Sequence, residues 1–162
     1  MRHSLALGAL VLALAGCGTD LPPGMDCEIV AAHLEGVSLW DTNAIVGYSK
    51  GSATLVATDT AGLSRSFPVS LVGPDFGLCI GGTQTVDLGG RDDFDLSKVK
   101  GPVMLSDLFG DYSGTTVGVV MVAGLKAHTL SNGREVQLDI SRLAFWFQFC
   151  AAAEWMVLGY DG

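Results

Sequence analysis

Positive charge is scarce in this chain. Nine Lys and Arg stand against 17 Asp and Glu, for a net charge of −8. Neutralising phosphates takes clustered bases, so a nucleic-acid surface is excluded and attraction to anionic headgroups is not expected. Histidine is also sparse: beyond His3 there are only His33 and His128. No pair of His or Cys has metal-ligand spacing, so no metal or other cofactor is expected. The stretch DLGGRDDFDLS offers Asp87, Asp92, Asp93 and Asp95. It lacks the EF-hand spacing with its closing Glu and reads as a solvated acidic loop. No apolar run approaches the roughly 20 residues that a membrane-spanning helix requires.

What the chain does have begins at its first residues, MRHSLALGALVLALAGCG. A short basic start (Arg2, His3) precedes an apolar run from Leu5 to Ala15 and then small residues, the order of a secretory signal. The stretch LAGC, Leu14 to Cys17, resembles the lipobox of bacterial lipoproteins. That resemblance implies diacylglycerol on the Cys17 thiol, cleavage before Cys17, and acylation of the new amine. One acyl chain binds a membrane only marginally, whereas two or three hold firmly. Gly18 after the cysteine, by the same resemblance, implies sorting to the outer membrane of a double-membraned host. The expected division is a signal peptide over 1–16, a lipidated tether over 17–26, and one domain over 27–162. At about 3.3 Å per residue the tether reaches roughly 30 Å at most.

The domain reads as β. There are 22 glycines, about twice the ordinary share of roughly 7%, spread between apolar stretches as turns and sheet corners require. SATLVATD (52–59) alternates. TAG (60–62) signals a turn. SRSFPVSLV (64–72) places Phe67, Val69 and Leu71 on one face, with Pro68 marking an edge or bulge. Segments 76–90 and 115–130 read as extended, SNG (131–133) as a hairpin turn, and Val136, Leu138 and Ile140 as an inward face. The sum is a small antiparallel β-barrel or sandwich with one short helix near Ser106. Residues 26–36 and 151–160 are compatible with strand or helix.

An exported chain meets an oxidising compartment. Cys27, Cys79 and Cys150 allow one disulfide in three ways, and Cys27–Cys150 is favoured, tying the start of the domain to its last strand. One catalytic pattern is present. GYSKG (47–51) matches the G-x-S-x-G of a nucleophile elbow, with Ser49 as nucleophile, His128 downstream, and Asp107 or Asp111 between. An elbow needs a strand, a sharp turn and a helix, and the β-branched SATLVATD that follows is no helix. Gly47 and Gly51 therefore read as shaping a bend into a strand. The aromatic stripe Phe145, Trp146, Phe147, Phe149 and Trp155 reads as core, with a membrane-facing patch as the competing assignment.

The glycines of residues 47–82 and LFGDYSGTTVGVVMVAGL (108–125) resemble the Gly-rich half of SYLF domains, proposed lipid binders. They also resemble the small periplasmic β-barrels of the EipA envelope-integrity family. SRSFP stands where SYLF domains carry Trp-Ser-x-Pro, and the resemblance transfers no catalytic residue. It implies an envelope barrel with an apolar ligand, such as an acyl chain, or an envelope-protein partner. The expected function is a lipid-anchored, non-enzymatic binding or maintenance module facing the periplasm. A Ser49 hydrolase and a structural surface lipoprotein without a small ligand are the competing expectations.

Overall fold

The computed structural model describes residues 27–41, 45–80, 83–84, 90–120, 123–144 and 148–161. The signal, the tether, Asp87 and the stripe residues Phe145, Trp146 and Phe147 lie outside them. The strands are β1 (Glu28–Asp41), β2 (Val46–Asp59), β3 (Ser64–Ile80), β4 (Thr83–Gln84), β5 (Arg91–Asp95), β6 (Val103–Met104), β7 (Gly110–Val120), β8 (Gly124–Asn132), β9 (Gln137–Ala144) and β10 (Gln148–Tyr160). Their order is β2-β3-β10-β7-β8-β9-β5-β1, and β1 also pairs with β2. That last pairing closes an antiparallel barrel of eight strands among the described residues. The short β4 and β6 extend β1 at its two ends. Of the two uncertain segments, 28–36 is strand in β1 and 151–160 is strand in β10. The expected helix is a single 3-10 turn, Leu105–Leu108.

Alternation decides which side chains go inside. Phe67, Val69 and Leu71 are buried, as are Val136, Leu138 and Ile140. With Leu34, Leu55, Leu130, Met156 and Leu158 they fill the barrel toward one end, here called the tethered end because β1, which follows the stretch read from sequence as a tether, starts there. The 3-10 turn closes it: Leu105 and Leu108 point inward, and the buried Tyr112 hydroxyl donates to the Leu108 carbonyl at 2.8 Å. Asn132 organises the β8–β9 turn. Its side chain donates to the Asp107 carbonyl (2.8 Å) and accepts from the Arg134 and Val136 amides (3.0 Å each). Pro68 is accommodated because β10 runs out beside it: Tyr160, the last residue of that strand, pairs with Val69. Segment 115–130 is not one continuous strand. It folds back between Val120 and Gly124 as β7 and β8.

The expected Cys27–Cys150 disulfide is not formed. Cys27 sits at the tethered end, where its carbonyl accepts from the Leu105 amide at 2.8 Å. Cys150 is in register with Cys79 of β3 and Gly118 of β7, toward the far end. From Ser64, at the tethered end, to Cys79 is roughly 50 Å of strand path. A disulfide tolerates a Cα separation of only about 7 Å.

Closure leaves a narrow interior, and glycine permits it. A Cβ on Gly73 would strike the Trp155 carbonyl, and one on Gly114 the Thr129 carbonyl, both within the wall itself. Gly114→Ala is therefore expected to lower stability by about 1–3 kcal/mol through overpacking. The outward Ser131→Ala should stay within about 0.5 kcal/mol of the parent. Urea midpoints of the two variants provide the check.

Candidate functional site

Toward the far end the inward positions change character. Ser49 on β2, Asp75 on β3, Glu154 on β10, Thr116 on β7 and His128 on β8 are all inward and buried. These five strands are consecutive around the barrel, so the side chains form a polar row across half the interior. Register explains the assembly. Asp75 pairs with Glu154 across β3 and β10, and Thr116 pairs with His128 across β7 and β8. Opposite Asp75 on β2 stands Gly47, opposite Ser49 on β3 stands Gly73, and opposite Glu154 on β7 stands Gly114. Small residues beside each large polar one make the room.

The bonds run along the row. Ser49 Oγ donates to Asp75 Oδ2 at 3.1 Å. Thr116 Oγ1 donates to Glu154 Oε2 and lies 3.0 Å from His128 Nδ1. His128 Nδ1 is 2.6 Å from the same Glu154 oxygen. Two buried atoms, Glu154 Oε1 and His128 Nε2, have no hydrogen-bond partner among the described residues.

The two carboxyls are driven apart. Burial by itself raises Glu154, but the hydrogen bond and charge of His128, with the Thr116 and Ser49 hydroxyls, outweigh it and hold the group below its ordinary value. Asp75 goes the other way. Burial raises it, the Ser49 hydroxyl only partly offsets this, and the neighbouring Glu154 charge raises it further. Paired carboxyls with diverging environments hold one negative charge more readily than two.

Ser49 does not meet the structural terms of a nucleophile. It is 1% exposed, sits mid-strand in β2 with no turn or helix after it, and donates to a carboxylate. Gly47 and Gly51 are strand residues in β2, not a bend. Asp107 binds the Met104 amide (2.8 Å) and Arg134 (2.7 Å) at the tethered end, and Asp111 is exposed on β7. His33 lies on β1, 2.9 Å from Glu35, apart from His128. The acidic stretch does not converge either: Asp92 is buried, while Asp93 pairs with exposed Arg91 at 2.6 Å. No cluster of three or more potential metal ligands occurs among the described residues. An open groove of about 520 Å³, lined in part by Pro74, Asp111, Asn132, Trp155 and Val157, lies on the outside of the barrel.

Sequence reasoning found Ser49 and His128 but missed Asp75, Thr116 and Glu154. Glu154 did leave a signal: a lone acid within CAAAEWMVL, whose neighbours are small or apolar. The chain matches no family model, no curated protein and no solved structure.

The carboxyls predict opposite pH behaviour. Glu154, depressed below 4.5, contributes stability above that pH and loses it as pH falls through its folded value. Asp75, raised above 3.8, contributes stability below that pH and loses it as pH rises through its folded value. Glu154→Gln should therefore destabilise by about 1–3 kcal/mol near neutrality and converge on the parent in acid. Asp75→Asn should gain on the parent as pH rises. Urea midpoints measured across the acid-to-neutral range test both. Parallel curves for parent and variants would show that the row does not tune its carboxyls.

Proposed function

We propose that this chain is a lipid-anchored, non-enzymatic module of the bacterial envelope, attached through Cys17 and facing the periplasm, in the outer membrane of a double-membraned host. The observation that carries the reading is that chemistry is sealed inside the barrel. The nucleophile-and-histidine combination suggested by sequence, Ser49 with His128, is buried, each residue about 1% exposed. The interior is occupied by leucines toward the tethered end and by a hydrogen-bonded polar row beyond them. Such a body acts through its outer surface, which favours a membrane or envelope-protein partner over a small ligand held in the lumen. The first strand begins at Glu28, directly after the stretch read as tether, so the whole barrel would hang from a short linker on the acylated cysteine. The glycine-rich likeness to SYLF domains and EipA-type barrels agrees with an envelope setting.

Expression of the chain in a double-membraned bacterium, with intact-mass analysis of the processed product, tests the anchor. The expected product starts at Cys17 and carries thioether-linked diacylglycerol plus an amide-linked chain, in the membrane fraction. Cys17→Ser should abolish the lipid mass. A processed chain with an unmodified thiol at Cys17, or one recovered wholly from the soluble periplasm, overturns the reading.

A further inference from the structure

The outer face of the barrel is unequal around its circumference. On β3 the outward residues from Val72 on are Val72, Pro74, Phe76 and Leu78; on β10 they are Phe149, Ala151, Ala153, Trp155 and Val157. β7 continues with Ser113, Thr115 and Val117, and β8 with Leu125, Ala127, Thr129 and Ser131. None of these is charged, and exposed Asp111, opposite Val157, bounds the set on β7. The large members are half exposed, including Phe76 at 48%, Val117 at 55%, Leu125 at 59%, Phe149 at 45% and Trp155 at 46%. Ladder pairing makes them contiguous, since Leu78 neighbours Ala151 and Ala151 neighbours Val117. Phe76 and Trp155 stack edge to face at 5.7 Å. The opposite side differs: β1 exposes Glu28 and Glu35, and β5 exposes Arg91 and Asp93, while Asp139 of β9, paired with Thr129, bounds the wall beyond β8.

We propose that the outer face of β3, β10, β7 and β8 is a membrane-contact wall, seated among the acyl chains of one bilayer leaflet. Several observations select this occupant. The polarity beneath the wall is inverted, with Asp75, Glu154, Thr116 and His128 inside while Phe76, Trp155, Val117 and Phe149 face out. That inside-out alternation is what hydrocarbon demands of a barrel. Each wall strand is hydrogen-bonded on both sides, so it presents no unpaired backbone edge to lipid. The wall is convex. Two convex barrels meet along a line and would struggle to bury the roughly 800 Å² per partner of a stable protein interface, whereas fluid acyl chains conform to the curve. Amphipathic aromatics mark its margin: Trp155 adjoins Ser113 and the open groove, and half-exposed Tyr48 on β2 adjoins Pro74 and lies two residues from exposed Lys50. Such residues favour the interface between hydrocarbon and water. Because the opposite side carries charge, the barrel lies in one leaflet and does not span the bilayer.

This inference stands on the barrel's outer side chains and does not require the Cys17 anchor, so the two fail separately. The test uses the full chain with Trp40→Phe and Trp146→Phe, leaving Trp155 as the fluorophore. The protein is mixed with vesicles of phosphatidylethanolamine and phosphatidylglycerol whose acyl chains are brominated. Trp155 emission should shift to the blue and be quenched at least twofold relative to non-brominated vesicles. A reporter on the opposite side, Asp93→Trp on β5 in a Trp155→Phe background, should remain unquenched. Running both reporters with Cys17→Ser separates wall contact from anchoring. Val117→Asp with Val157→Asp, both outward and hence compatible with folding, should abolish quenching while leaving the far-ultraviolet circular dichroism unchanged. Equal quenching of the two reporters, no quenching of Trp155, or a lipid-free dimer that shields Trp155 would each overturn the proposal, the last by assigning the wall to a second copy.

Discussion

The pairing of β1 with β2 is the constraint on which everything else rests. It joins the first strand to its sequence neighbour after the sheet has travelled through all the others, and so turns a sheet into a tube. A tube of eight strands has little interior volume. Large side chains can enter it only where their neighbours are small, which is why Gly47, Gly73 and Gly114 stand opposite Asp75, Ser49 and Glu154. The leucine-filled section and the polar row are two solutions to one packing problem, set end to end along the same strands.

The polar row is costly to build. Buried carboxylates persist when hydrogen bonds or opposite charge compensate their lost hydration, and here Ser49, Thr116 and His128 supply that compensation. A buried hydrogen-bonded network rigidifies its surroundings to the extent that its members are paired, and here only Glu154 Oε1 and His128 Nε2 of the row stay without a partner among the described residues. In this barrel it spans five consecutive strands and crosslinks the section that lacks leucines. The same residues that look catalytic in one dimension hold the wall together in three.

Much of the barrel was legible in the sequence. Alternation at Phe67, Val69 and Leu71, and again at Val136, Leu138 and Ile140, identified inward faces because the partner face was polar. The turns at 60–62 and 131–133 were legible because Gly and Asn have few other uses at such positions. Reading failed where both faces of a strand are apolar or small. In β10, Cys150, Ala152, Met156 and Leu158 point in while Phe149, Ala151, Trp155 and Val157 point out, and hydrophobicity cannot rank the two sets. Phe149 and Trp155 read as core from the sequence, but they face out and the narrow interior admits Cys150, Ala152, Met156 and Leu158 instead. The disulfide expectation failed for a related reason: nearness of chain ends was inferred without the register, which places Cys27 and Cys150 at opposite ends of the barrel. Asp75, Thr116 and Glu154 escaped notice because each belongs to a different strand, and only closure brings them into one row.

A closed ring of strands also has a bearing on how the molecule meets others of its kind. Fibrous growth proceeds when an unpaired strand recruits the backbone of a neighbouring chain. Among the described residues the two strands that a sheet would leave at its margins, β1 and β2, are paired to each other, so that route is narrowed to short stretches: the two-residue β4 and β6, and the seam where β5 meets β9 only at Phe94 and Asp95. Most of what gathers against this barrel must do so through side chains, and those differ from one flank to the other.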